Sequence, residues 1–139
     1  MTTLKSETLP LQADKDILIV RQTVREWMIA ENFSILDQTK MVTAASELAR
    51  NAIIHGAGGS AQLELLTDAN RLGIRATFLD HGKGIADLPK MLKGGYSTGE
   101  GLGLGLSGAK RLVDQFEIWS EPGKGTRVII TAKVKKHER

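Results

Sequence analysis

The chain has 139 residues, 41% of them hydrophobic and 25% charged, with a formal net charge of +3 and no cysteine. That length suits one domain over residues 1–139 with a core of its own. The missing cysteines exclude disulfides and thiolate metal sites and fit a reducing, cytoplasmic setting. No apolar run is long enough to span a membrane, and no basic stretch followed by an apolar one marks a secretory signal. Aromatic residues make up only 4%, and positive charge gathers only at the end of the chain, at Lys133, Lys135, Lys136 and Arg139. Such a tail reads as a solvated terminus, so neither a nucleic acid nor a membrane partner is expected.

In chain order, "ETLPLQ" is a short extended segment. From Asp14, a candidate N-cap, Ile17, Val20, Val24, Trp27 and Met28 recur at helical spacing, and the helix should end near Asn32. A second helix starts near Ser34, whose spacing to Asp37 resembles a capping box. Met41, Val42, Ala45, Leu48, Ala49 and Ala52 form its buried side, and the glycines of "HGAGG" stop it. Two strands follow, "AQLELLT" and a run to Asp80 with Leu72, Ile74, Ala76 and Phe78 on one face, joined by a turn at Asp68–Asn70.

Residues 81–104 are glycine-rich and loop-like, with one helical turn around Leu88–Leu92. A third long helix is expected from near Gly105, carrying Leu106, Ala109, Leu112, Val113 and Phe116, with Gly108 serving helix packing. "FEIWS" reads as a strand. After a turn at Pro122-Gly123 comes a last strand with Val128, Ile130, Ala132 and Val134 on one side. Helices and strands do not alternate one for one, which disfavours a doubly wound parallel sheet. A mixed or antiparallel sheet with helices on one face, a two-layer α/β sandwich, fits better.

Residues 103–108 match G-x-G-x-x-G. A dinucleotide fingerprint needs a strand directly before it, and "GGYSTGE" is a poor strand, so an NAD site rests on these six residues alone. What remains is a glycine-rich stretch opening a helix, where unpaired N–H groups and a positive dipole suit phosphates. The alternative is a flexible hinge. Leu102, Leu104 and Leu106 read as anchors for a lid over the site.

On the second helix Glu47 and Asn51 share a face, one turn apart. They are either an exposed polar stripe or a site in which Asn51 offers an oxygen to Mg²⁺ and Glu47 accepts a proton. Asp80-x-Gly82-x-Gly84 follows a strand. It is either a plain turn or a carboxylate placed to accept a hydrogen bond from an amino group. Gly125-Thr126 precedes the last strand.

Taken in order, E-x-x-x-N on a helix, D-x-G-x-G after a strand, G-x-G-x-G opening a helix and G-T before a strand resemble the ATP-binding domain shared by histidine kinases, Hsp90, type II topoisomerases and MutL. The resemblance covers roughly residues 34–134 and implies the Bergerat fold, ATP and Mg²⁺. It implies Glu47 as general base, Asn51 as Mg²⁺ ligand and Asp80 as the adenine-binding carboxylate. Gly82, Gly84 and Thr126 would line that pocket, and Gly101, Gly103 and Gly105 would contact phosphates. Lys83 departs from the apolar residue or proline that many relatives carry between those glycines.

A short chain of this kind, with "ASELARNAIIHGAGG" and "STGEGLGLGLSGAKRLVDQFEI", is most similar to the bacterial anti-sigma-factor serine/threonine kinases, and within them to the stressosome switch kinases. That resemblance implies phosphorylation of a serine or threonine on a STAS-domain protein in a partner-switching pathway. An output phosphatase or a sigma factor would be an alternate partner. A nucleotide-dependent sequestering module with little catalysis would carry the same motifs.

Overall fold

A computed structural model of the chain describes residues 1–69, 71–92 and 102–134. Its elements run β1 (Thr2–Leu11), α1 (Asp14–Ala30), α2 (Ile35–Ile54), β2 (Gly59–Asp68), β3 (Arg71–Asp80), α3 (Leu88–Leu92), α4 (Leu102–Leu112), β4 (Gln115–Glu121) and β5 (Gly125–Lys133). The strands form one five-stranded sheet in the order β1-β2-β3-β5-β4. Of the two arrangements open from the sequence, mixed or antiparallel, every ladder takes the antiparallel one. The long helices pack on one face, α1 against α2 and α2 against α4, with α2 also touching β1, β2, β3 and β5.

The core lies between these layers. Period-two alternation in β3 and β5 turns Ile74, Ala76 and Phe78, and Val128, Ile130 and Ala132, towards the helices. Val20, Val24 and Met28 of α1 and Met41 and Leu48 of α2 meet them, each at most 2% exposed. Full burial of each such side chain contributes about 1.5–3 kcal/mol. On the opposite face Arg75 donates to Glu64 at 2.9 Å, and Trp119 stays 42% exposed.

Several local expectations shift. The cap of α1 is Ala13, not Asp14. Ala13 has no side-chain acceptor, so only the returning half of a capping box forms. Asp16 takes the N–H groups of Gln12 and Ala13 at 2.7 and 3.0 Å, and those two bonds hold its carboxyl below the usual value. Ser34 does cap α2, accepting from the Asp37 N–H at 3.1 Å.

Helix α4 begins at Leu102 rather than near Gly105, so Gly103 and Gly105 lie within its first turns. It ends at Leu112, and Phe116 belongs to β4. Gly108 does not serve packing: a Cβ there would meet nothing within 4 Å. The first strand is longer than "ETLPLQ", pairing with β2 from Thr2 onward. Gly101 and the basic residues Lys135, Lys136 and Arg139 lie outside the described residues.

Candidate active site

Two groups of the expected residues meet across one cleft. The first belongs to the helix layer. Four residues is one turn, so Glu47 and Asn51 project from the same side of α2, towards α4. There Gly105 leaves the room they occupy. A Cβ on it would stand 3.2 Å from Asn51 Nδ2 and 3.6 Å from Glu47 Oε2. The Glu47 carboxylate also takes a hydrogen bond from Arg50 at 3.1 Å, a pair in which both side chains stay more than 40% exposed. Such a pair orients more than it stabilises.

Asn51 Nδ2 is buried and has no hydrogen-bond partner. An orphaned amide beside a glycine-made gap fits a site in which a bound group completes the bonding. Because an amide presents its oxygen in place of its nitrogen by a half-turn, the same position suits a hard cation. The donor set thus fits Mg²⁺ held by Asn51 together with phosphate and water oxygens. Among the described residues no cluster of three or more His, Cys, Asp or Glu offers an all-protein metal site.

The second group belongs to the sheet. Antiparallel register sets Asp80 of β3 opposite Thr126 of β5, and Thr126 opposite Ser120 of β4. Residues directly opposed across a ladder point to the same face. Asp80, Thr126 and Ser120 therefore stand in a row facing the helices.

Asp80 is 8% exposed, and burial raises its carboxyl above the usual value. Hydrogen bonds from the Gly82 N–H, at 2.9 Å, and the Thr126 N–H work against that rise. Gly56, at the end of α2, has to be glycine because a Cβ would strike the Asp80 carboxyl group. Gly82 in turn packs its backbone on Gly56, with 2.6 Å from its own missing Cβ to the Gly56 Cα.

The loop after Asp80 is clamped to the β4–β5 hairpin. The Gly123 N–H donates to the Lys83 carbonyl at 2.8 Å, and the Ile85 N–H donates to Ser120 Oγ at 2.8 Å. Gly84 has φ +76° and its Cβ would collide with the Glu121 carbonyl, so no other residue suits that position.

Between the two groups lies a cleft. Its walls are apolar: Leu48, Ala52, Phe78, Ile85, Leu106 and Val128. Asp80 and Thr126 supply polar groups, and Asn51, His55, Lys83 and Gly84 complete the lining. An apolar cleft with a few converging polar groups is the usual form of a small-molecule site. Leu106, expected to anchor a lid, is 1% exposed and forms part of this wall.

The structure thus brings Glu47, Asn51 and Gly105 together on one side and Asp80, Gly82, Gly84 and Thr126 on the other. Gly103 lies in the first turn of α4. Sequence reasoning passed over Gly56, taken only as a helix stop, and Ser120, taken only as part of a strand. Gly56 was legible in principle, since the first glycine of "HGAGG" falls one residue past the helix C-cap, His55. Nothing local marks Ser120, whose importance comes from its register with Thr126.

Comparison with known proteins identifies the family and the fold. The family model of histidine kinase-, DNA gyrase B- and HSP90-like ATPases matches residues 36–136. The chain is 37% identical over 118 residues to the serine/threonine-protein kinase RsbT of Bacillus subtilis (strain 168), covering 85% of this chain and 89% of that one. It is 35% identical over 95 residues to the anti-sigma F factor of Thermoanaerobacter sp. (strain X514), covering 64% of this chain and 65% of the relative.

Among solved structures, the RsbU and RsbW domains of Rv1364c from Mycobacterium tuberculosis align with 95% of this chain at a TM-score of 0.62 and 23% identity. This chain spans 32% of that one. The SiaB–SiaC complex from Pseudomonas aeruginosa aligns with 95% at a TM-score of 0.53 and 15% identity. These two likenesses concern the fold. With the family model matching residues 36–136, most of the sequence, the chain belongs to the histidine kinase-, DNA gyrase B- and HSP90-like ATPase family.

Proposed function

We propose that the chain is an ATP-dependent protein serine/threonine kinase acting on a STAS-domain protein in a partner-switching pathway. The observation that carries this reading is the cleft lined by Asp80 and Thr126 on one side and by Asn51 on the other, where the Asn51 amide stands against Gly105 beside Glu47. Likeness to RsbT over 85% of the chain supports the kinase class.

In this reading the base of ATP lies in the apolar slot, with its amino group donating to Asp80. Gly82 and Gly84 shape the wall beside it. Gly103 and Gly105 let the α4 backbone approach the phosphates, where helix N–H groups face the negative charge. Asn51 would hold Mg²⁺, which would neutralise charge on the phosphates. Phosphoryl transfer depends mostly on positioning and charge neutralisation, so little covalent chemistry is asked of the protein. Glu47 orients the acceptor hydroxyl and takes its proton as the oxygen bonds to the γ-phosphorus and ADP leaves.

The test is transfer of labelled γ-phosphate from ATP to a purified STAS-domain protein. Glu47→Gln should lower transfer by roughly 10²–10⁴-fold with ATP affinity kept. Asn51→Ala should lose both transfer and Mg²⁺-dependent ATP binding. Full transfer by Glu47→Gln would overturn the assigned mechanism. Similarity to anti-sigma F factors favours a second role, nucleotide-dependent capture of a sigma factor. A partner retained in ATP without being phosphorylated would favour capture over transfer.

A further inference from the structure

Glu47 stands beside a cation that the chemistry described above leaves idle. At about 100° per residue, Arg50 lies roughly 60° to one side of Glu47 around α2, and Asn51 about 40° to the other. Arg50 is exposed, whereas the Asn51 amide nitrogen is buried beside Gly105. The Glu47 carboxylate therefore has a solvent side and a cleft side.

Its two oxygens are divided between them. Arg50 Nη1 donates to Oε1 at 3.1 Å. Oε2 looks inward, 3.6 Å from where a Cβ on Gly105 would stand. Among the described residues nothing donates to Oε2, so its lone pairs are open. Glu47 has three side-chain torsions and is 41% exposed. Left alone, such a side chain samples rotamers that carry its carboxylate out into water. Arg50 sits on the same rigid helix, so its hold on Oε1 fixes where Oε2 points.

We propose that Arg50 is a positioning residue for phosphoryl transfer: by holding Oε1 it keeps Oε2 of Glu47 turned into the cleft, to meet the acceptor hydroxyl. The inference rests on the kinase reading above and names the oxygen that takes the proton. In that step the hydroxyl proton passes to Oε2 and the hydroxyl oxygen bonds to the γ-phosphorus. The bond from that phosphorus to the bridging oxygen breaks, and ADP leaves with its electron pair. Arg50 touches none of the reacting atoms. A guanidinium suits the task, since it stays charged at any working pH and holds a carboxylate in a fixed geometry. An ion pair this exposed contributes little to folding, so losing Arg50 should show in the chemistry and not in stability.

The experiment measures steady-state transfer of labelled γ-phosphate from ATP to a purified STAS-domain protein, with calorimetric ATP binding and melting curves alongside. Arg50→Met keeps the apolar stem and removes the donors. Its kcat should fall on the order of tenfold, less than the hundredfold that a displacement of about 1 Å can cost. KM for the acceptor, ATP affinity and Tm should stay as they are in the unaltered chain. Arg50→Lys, which still brings a cationic donor to Oε1, should recover most of the lost kcat. In a Glu47→Gln background, Arg50→Met should lower the residual transfer no further, because both act through one carboxylate.

An unchanged kcat in Arg50→Met would overturn the inference. So would a raised KM for the acceptor at unchanged kcat, which would make Arg50 a contact for the partner protein. A further tenfold loss in the Glu47→Gln background would place its action elsewhere than on Glu47. Each of these outcomes leaves the kinase reading standing. An unaltered chain that binds ATP but transfers nothing would overturn both.

Discussion

Asp80 carries two opposed demands. In the proposed reading it is buried to meet a base in an apolar slot, and burial disfavours its charge. Desolvation is the larger influence and raises its pKa, while the N–H groups of Gly82 and Thr126 pull the other way. The sign of the consequence follows. A carboxyl whose folded pKa lies above its unfolded value favours folding fully at pH below about 3.8, and that contribution is lost as pH rises through the raised value. At neutral pH the charged form therefore costs stability that Asp80→Asn removes. Asp80→Asn should melt at least as high as the unaltered chain at pH 7, and the difference should close on acidification. Nucleotide affinity should run in the opposite sense, weakening as acid removes the acceptor and being lost in Asp80→Asn at every pH. Melting curves and titrations across pH 4–8 check both halves. A variant less stable at pH 7 than at pH 4, relative to the unaltered chain, would contradict the assigned cause.

At the scale of elements, α4 separates two uses of glycine that its sequence presents alike. Glycine within a helix costs roughly 0.5–1 kcal/mol relative to alanine. At Gly108 nothing lies within 4 Å of where a Cβ would stand, so Gly108→Ala should gain about that amount in denaturant unfolding and leave nucleotide binding unchanged. At Gly105 the same substitution gains the same propensity but sets a methyl 3.2 Å from Asn51 Nδ2. Gly105→Ala should therefore weaken ATP binding and phosphoryl transfer whatever it does to stability. Equal behaviour of the two variants in both assays would refute the distinction. The sequence places these glycines on one helix by period but does not say which of them faces α2, because that depends on how two helices cross. The same limit explains the N-terminus of α1. Asp14 and Asp16 are both acidic residues at a helix start, and only the path of the preceding strand decides that Asp16 reaches back to Gln12 and Ala13. The long apolar periods of α2, β3 and β5, by contrast, were legible, since each element buries one whole face.

At the scale of the molecule, the site is a seam between layers. Glu47, Asn51 and Gly105 come from the helices, and Asp80, Gly84 and Thr126 from the sheet and its loops. Their order along the chain was readable as four separate motifs. Their meeting depends on β5 inserting between β3 and β4, a pairing of strands some fifty residues apart that no local pattern specifies. It is that insertion which brings Ser120 behind Thr126. A nucleotide held in the seam bridges both layers and so binds the folded chain alone. Mass action then stabilises it by RT ln(1 + [L]/Kd), about 2.7 kcal/mol when ligand stands at a hundred times its Kd. For a domain of this length that is a rise in Tm on the order of 5–10 °C. ADP with Mg²⁺ should produce such a rise in the unaltered chain and in Gly108→Ala, and none in Asp80→Asn. The comparison separates a ligand that spans the seam from one that merely adheres to the helix layer, because Asp80 touches the ligand only from the sheet side. A rise that survives intact in Asp80→Asn would place the nucleotide elsewhere.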